Sequence, residues 1–495
     1  MPLNKNSKNS LWLSSQYTVM LVLSLIGLKL NLLTLGSQVF SIWVLLFSIW
    51  GVGSAVDFGF GISTVKFVAQ YKSDYAKVNK IISTCFFLFF VLGVVIAVMG
   101  CFVAELVYIG NPKIVPHNLI TQARTICLLS GAIFYVQYLT IVFRSILEGH
   151  EDFVRTSKIA IANSLLIFVC VIVVYCFHLT AALLAVFYLV AAVVQLFVFL
   201  FFFRAFYKHL SIGFVHVNVA TFKEIWKFSI SVQATFFLGS LIDPITKYLL
   251  GTYSENKLIP PYEIAKRFTL AVSGLFSFAF KNTLPNVSKL SGKQEQVTFL
   301  FLDGVGVSRN GISFSGLFFG VFPIVFTLIF TFFYGYKESA VIFMILGLAE
   351  SVNNAGYILY VFILGIGKSS FLGVLQAVNI IVISAVLIIG LLIFRNSLAL
   401  FGYYVSVLGV NLAMLLYIRK QVGISVLSFY RKTGFWKIFC LNIVMLASIF
   451  VYFVKPDALI ASQMLTAAFC VWLFWKDILG IFAFSRNVLK NSVAG

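Results

Sequence analysis

The residues able to do chemistry here are charged side chains set inside long apolar runs. Lys29, Arg124, Lys266 and Arg267 each stand about five to seven residues inside a hydrophobic segment, and Lys247 lies near the end of another. An ionisable group deep in a bilayer costs roughly 2.5 to 3.5 kcal/mol on insertion scales and normally faces a cavity or a partner. At 1.5 Å of rise per residue these depths are about 8 to 10 Å, which a lysine or arginine can also escape by snorkelling. A basic cavity shared by all five would attract a phosphate or pyrophosphate and repel a cationic drug. Glu350 sits in mid-run, followed by Ser351, Asn353 and Asn354, and its expected role is proton or sodium coupling or a hydrogen bond to a sugar. Asp243, just before Pro244, can pair with Lys247 at the i, i+4 spacing. The remaining polar feature is the stretch Asp57 to Ile81, where glycines at Gly59 and Gly61 follow Asp57 and lysines then appear. It reads as an inner gate, or simply as a helix end followed by a solvated basic loop.

No Walker sequence, Ser/His/Asp set or pair of carboxylates at catalytic spacing occurs, so the reading is a transporter rather than an enzyme. The seven cysteines lie in apolar runs without CxxC or Cys/His spacing, and the five histidines are scattered near helix ends, so no metal or other cofactor is expected beyond a coupling H+ or Na+. No signal peptide is expected either: the apolar run after MPLNKNSKNS is too long, and no small-residue cleavage site follows it.

The elements that must position these groups are membrane helices. Of 495 residues, 61% are hydrophobic and only 11% charged, with a mean hydropathy of +1.02, against about 25% charge in a soluble domain. The net charge of +20 has no polar domain on which to form a nucleic-acid-binding face, so no nucleic acid is expected as a partner. With about 20 apolar residues per crossing, the chain divides into fourteen expected spans. The first seven are Trp12 to Gly36, Val39 to Ile62, Ile81 to Ile109, Leu119 to Ile146, Ile159 to Leu179, Ala181 to Phe203 and Phe222 to Leu250. The others are Pro260 to Pro285, Gly304 to Tyr334, Ser339 to Leu364, Phe371 to Phe394, Leu398 to Ile418, Phe435 to Val454 and Ala458 to Phe484. With the N-terminus inside, the inner segments hold 25 lysines and arginines and the outer ends six. Positive charge is retained in the cytoplasm, so both termini are expected there. No loop is long enough to fold alone.

Weak internal similarity suggests a six-plus-six repeat: ILEGHEDF (Ile146 to Phe153) matches ILGIGKSSF (Ile363 to Phe371), each leading into a span with an early asparagine, Asn163 and Asn379. Two like bundles around a central site is a common transporter design.

Three stretches carry a resemblance: FSIWGVGSAVDFGFGISTVKFVAQY (Phe47 to Tyr71), RSILEGHEDF (Arg144 to Phe153) and YEIAKRFTL (Tyr262 to Leu270). With the fourteen-span layout, they resemble the polysaccharide-biosynthesis flippases, the O-antigen (Wzx-type) translocases of the multidrug/oligosaccharidyl-lipid/polysaccharide exporter superfamily. The resemblance implies an all-α polytopic membrane protein of about fourteen helices: two six-helix lobes, 1–209 and 210–420, plus two additional C-terminal helices in 421–495. It implies alternating access in a bacterial inner membrane, moving an undecaprenyl-pyrophosphate-linked oligosaccharide to the outer leaflet. A complex with a glycan polymerase and a chain-length regulator is the associated partner expectation. No residue-exact motif transfers a role to any one cation. A multidrug exporter of the same fold, a polymerase or ligase of lipid-linked glycans, and a channel stay open as alternatives; the cations weigh against the first and the short outer loops against the second.

Overall fold

The computed structural model describes residues 5–55, 60–71, 73–254, 256–279, 287, 293–300, 304–423 and 425–475. They form helices and turns, with no strand among the described residues. The chain separates into two units, Met1–Pro260 and Pro261–Gly495.

Unit 1 contains α1 (Lys5–Ala55), α2 (Phe60–Gln70), α3 (Tyr75–Val103), α4 (Ile120–Gly149), α5 (Phe153–Cys176), α6 (Ala181–Phe206) and α7 (Val219–Ser254). The apolar part of α1, Trp12–Gly53, is 42 residues long, about twice what one crossing needs. It covers the first expected span and most of the second, and they part at Gly36, whose φ of 70° and ψ of 163° are not helical. Only glycine occupies that region readily. Side chains start three of the other helices: Asp74 accepts from the Lys77 amide at 3.0 Å, and Asp152 and Thr180 cap α5 and α6 in the same way. α4 is the most buried helix of this unit, packed between α3 and α6 with α2 across it. Phe89, Phe134, Tyr138, Phe143, Phe199 and Phe203 interlock there. Apolar side chains gain little from leaving lipid, so such contacts hold by close packing. Gly149 serves that end: a Cβ there would stand 2.8 Å from Val68.

Beyond Val103, α3 continues as a π-helical segment, Ala104–Ile109, closed by the Gly110 amide on the Glu105 carbonyl at 2.8 Å. Such widened turns re-aim side chains and recur at functional sites.

Unit 2 takes up α8 (Ile259–Ala279) from Pro261 onward, then α9 (Lys293–Phe299), α10 (Val305–Ser315), α11 (Pro323–Leu328), α12 (Glu338–Gly365), α13 (Ser369–Phe394), α14 (Phe401–Val422), α15 (Val426–Thr433), α16 (Trp436–Val454) and α17 (Pro456–Trp475). Its axis is α12, 83% of whose most apolar window is buried, against α10 and α14 and, less extensively, α16. Gly347 permits the approach of Phe319, which a Cβ would meet at 2.7 Å.

Among the described residues ten helices are long and apolar enough to cross a membrane, or eleven when the pair Val305–Val321 and Pro323–Tyr334, bent by 41°, counts as one. The protein is therefore a multi-pass, all-helical membrane protein. α7 and α8, with 36 and 21 residues, are not among the ten. Each is long enough to cross, but α8 carries Glu263, Lys266 and Arg267 in its first half.

Candidate functional site

In unit 2 the polar groups converge on Glu350. Its Oε2 accepts from the Ser273 hydroxyl of α8 at 2.9 Å and from the Asn353 amide at 3.3 Å. Two turns earlier on α8, Lys266 lies close enough for its charge to act on Glu350, and its ammonium donates to the Tyr262 hydroxyl at 3.1 Å. That hydroxyl is 3.0 Å from the hydroxyl of Tyr403 on α14. Tyr262, Lys266 and Ser273 stand at i, i+4 and i+11, a spacing that keeps them on one stripe of the helix. The result is a ladder of phenols, ammonium, hydroxyl and carboxylate along α8. It can bind hydroxyl-rich or anionic groups through Lys266 and the phenols, and a proton or cation through Glu350. Arg267, next to the ladder, pairs with Glu263 at 2.7 Å.

The neighbouring asparagines divide between two environments. Asn353 is exposed, whereas Asn354 is buried and donates to the Ser315 hydroxyl at 3.2 Å, against Gly311 of α10. Ser351 turns elsewhere, to Asn442, which in turn donates to Tyr404; both bonds are 3.0 Å. The polar turn 350–354 of α12 thus works in two ways, towards α8 at Glu350 and Asn353 and as packing glue at Ser351 and Asn354.

In unit 1 two of the expected cations, Arg124 and Lys247, also meet acids. Arg124 lies beside Glu105, its Nε donating to both carboxylate oxygens at 3.0 and 3.2 Å. Lys247, with only 6% of its side chain exposed, pairs with Asp243 at 2.8 Å. Lys29 is half-buried on α1. Gly61 is buried in α2, while Asp57 and Gly59 lie outside the described residues. Near the Lys247 pair, the turn between α3 and α4 is fastened to α7 and the residues after it. Tyr108 donates to the Pro244 carbonyl at 3.3 Å, Asn111 to Thr252 at 3.4 Å, and Asn256 to the Ile114 carbonyl at 2.7 Å. Asn256 holds a left-handed φ of 66°, tolerated by asparagine better than by most residues.

Of the five cations read from the sequence, Arg124, Lys247 and Arg267 are paired with Glu105, Asp243 and Glu263, and Lys266 acts on Glu350; among these acids the sequence singles out Asp243 and Glu350. Glu263 stands four residues before Arg267, a spacing visible in the sequence. Glu105 and Arg124 are recognisable only by depth, one at the end of the third expected span and the other near the start of the fourth.

The comparison that decides the family is a match of residues 6–291, more than half of the chain, to the family model described as "Polysaccharide biosynthesis protein". The chain belongs to that family. No curated protein matches this family member. Among solved structures it is similar to an inward-facing multidrug resistance MATE transporter of the MOP superfamily, with 14% identity, a TM-score of 0.66, and 83% of this chain and 94% of that one covered. It is likewise similar to the lipid II flippase MurJ in an inward closed conformation, with 15% identity, a TM-score of 0.65 and coverage of 95% and 99%. A MOP superfamily transporter from Pyrococcus furiosus, described as having a binding pocket of reversed polarity, matches at 15% identity and a TM-score of 0.56, over 85% and 96%. At these identities the likeness gives this member of the polysaccharide biosynthesis family the fold of the MOP superfamily.

Proposed function

We propose that this protein is a flippase that carries a polyprenyl-pyrophosphate-linked oligosaccharide, an O-antigen or similar surface repeat unit, from the cytoplasmic to the outer leaflet of a bacterial inner membrane. The family match supports the glycan, and the lipid II flippase among the structures of like fold supports the lipid carrier. The observation that carries the reading is the pairing of Arg124 and Arg267 with carboxylates. Such pairs keep the charges tolerable in an empty site. A pyrophosphate supplies the same oxygens in the same fork geometry and replaces the carboxylates as the partner of Lys or Arg.

Coupling follows from that exchange. A carboxylate displaced from its cation by pyrophosphate is a strong site for a proton or Na+, with Glu350 the group best placed on the ladder. Entry of the anion and uptake of the cation then favour each other, and an ion gradient resets the carrier. Both termini lie in the cytoplasm in this reading, and a glycan polymerase with its chain-length regulator receives the product.

The test is export of surface glycan in a flippase-null strain carrying Lys29→Ala, Arg124→Ala, Lys266→Ala and Arg267→Ala, singly and together. The quadruple variant, present in the membrane at normal level, loses export. Full export by the quadruple variant would overturn the role given to the cations.

A further inference from the structure

Unit 1 holds an apolar cavity of about 450 Å³ between the second half of α1, α3 and α7. Its floor is Trp50, 6% exposed, lying across Gly100, where a Cβ would meet the indole at 2.5 Å. Its open side is a stripe of α3: Val95, Met99 and Val103, four residues apart, are 50%, 56% and 40% exposed. The far wall is α7 around Pro244, which has no N–H to give the Ser240 carbonyl and so loosens the helix there.

The lining contains no charged or amide side chain. Water needs two to four polar partners to fill such a space; the side chains that line it offer only the Tyr108 and Tyr248 hydroxyls and the Trp50 indole N–H, and the first already donates to the Pro244 carbonyl. An engineered apolar cavity of about 150 Å³ stays dry and takes benzene, and this one is about three times larger. Left empty, its walls forfeit their dispersion contacts. The occupant is therefore a hydrocarbon chain entering along α3.

The walls also favour one kind of chain. Ile49, Val52, Ile96 and Ile245 are β-branched, stiff and methyl-studded, and they face the rings of Trp50 and Tyr248. A chain leaving bilayer for cavity gains packing, not hydrophobic free energy, so the cost of ordering it decides. A methyl-branched, unsaturated isoprenoid has fewer free rotors than a saturated acyl chain and loses less when immobilised. At the end of the cavity, the Asp243–Lys247 pair lies near enough to Tyr108 for its charges to act on that side chain. We infer that this cavity seats a stretch of the polyprenyl tail of the carrier lipid, so that unit 1 holds the lipid while polar groups handle the head. The inference rests on the flippase reading for the identity of the lipid.

Photo-crosslinking of the full-length protein tests it. A benzoylphenylalanine replaces Met99 at the mouth or, as a control, Phe197 of α6, which is 64% exposed. The protein is reconstituted in phosphatidylethanolamine and phosphatidylglycerol vesicles with polyprenyl phosphate as a minor component, and the adducts are identified by mass spectrometry. Position 99 yields isoprenoid adducts out of proportion to their abundance, position 197 yields phospholipid, and Val95→Trp, which fills the mouth, abolishes the isoprenoid adduct at 99. Adducts at 99 that follow bulk composition, acyl-chain adducts alone, or none would each overturn the inference. Isoprenoid capture at 99 in a protein whose quadruple cation variant still exports would keep the cavity and sink the headgroup mechanism; the reverse pattern would do the opposite.

Discussion

α7 and α8 carry the same device with opposite polarity. Each has an acid four residues before a base, the favourable order on a helix: Asp243 and Lys247 at 2.8 Å in one, Glu263 and Arg267 at 2.7 Å in the other. In α7 the base is the buried partner, its side chain 6% exposed against 28% for the acid. In α8 the acid is buried, 9% exposed against 39% for the arginine. The pair in α7 therefore presents its carboxylate and the pair in α8 its guanidinium. A pair of this kind has one partner fixed in the protein and one available for exchange, and only in α8 is the available partner suited to an anion. Of these two bases, Arg267 is the one suited to the proposed pyrophosphate, and Lys247 has a largely structural part.

The largest effect expected from breaking the comparison is in α7. Asp243→Asn takes the carboxylate from a buried ammonium, and removing one partner of a buried pair costs about 3 to 5 kcal/mol. The thermal midpoint of the detergent-solubilised variant falls accordingly, and Asp243→Leu combined with Lys247→Met restores most of it, because apolar replacement of both partners is often neutral. A single variant as stable as the parent would mean that Lys247 does not depend on Asp243.

The mirror-image change, Arg267→Gln, takes the guanidinium from Glu263 and costs somewhat less. With ordinary reference values, neutralising a carboxyl at pH 7 takes about 3.7 kcal/mol and neutralising an ammonium about 4.6 kcal/mol, which caps the two penalties in that order. The two deficits also respond to pH in opposite directions. Deprived of Arg267, Glu263 is relieved by taking up a proton, so the deficit of Arg267→Gln shrinks as pH falls; deprived of Asp243, Lys247 is relieved by losing one, so that of Asp243→Asn shrinks as pH rises. Thermal melts of both variants across pH 5 to 9 measure the slopes, and parallel slopes would show that the buried partners are not the ones named.

The helical frame was readable because hydropathy and length are strong signals, and the break in α1 falls at Gly36, where two expected spans met. The charge pairing was readable in part. Asp243 and Lys247 share a helix face at a spacing that names the pair, and YEIAKR holds Glu263 and Arg267 at the same spacing, although there the cations and the family resemblance draw the eye before the pair does. Glu105 and Arg124 are 19 residues apart and meet only because two helix ends reach one level. The role of Asn354 was not readable: it stands about 40° round the helix from Glu350, and that small angle separates contact with α8 from burial against α10. The cavity of unit 1 has no sequence pattern at all. It is space left over where Gly100 admits Trp50 and Pro244 loosens α7, and vacancy is a property of packing rather than of any residue.

The smallest stability change, and the sharpest test of what the comparison means, is Glu263→Gln. It removes the buried acid beside the half-exposed Arg267, which can also meet water, lipid headgroup or substrate, and an exposed ion pair is worth only about 0 to 1 kcal/mol. The thermal midpoint should therefore move little. If pyrophosphate displaces Glu263 in the working cycle, the variant has lost a competitor for its substrate, and the unfilled protein should retain a soluble pyrophosphate ester more tightly than the parent, measured by calorimetry on the purified protein. Lys247→Met, which frees an acid rather than a base, should show no such gain. Equal affinity in the parent and Glu263→Gln would mean that Arg267 is held by its carboxylate throughout transport, leaving Lys266 and its two phenols to meet the anion.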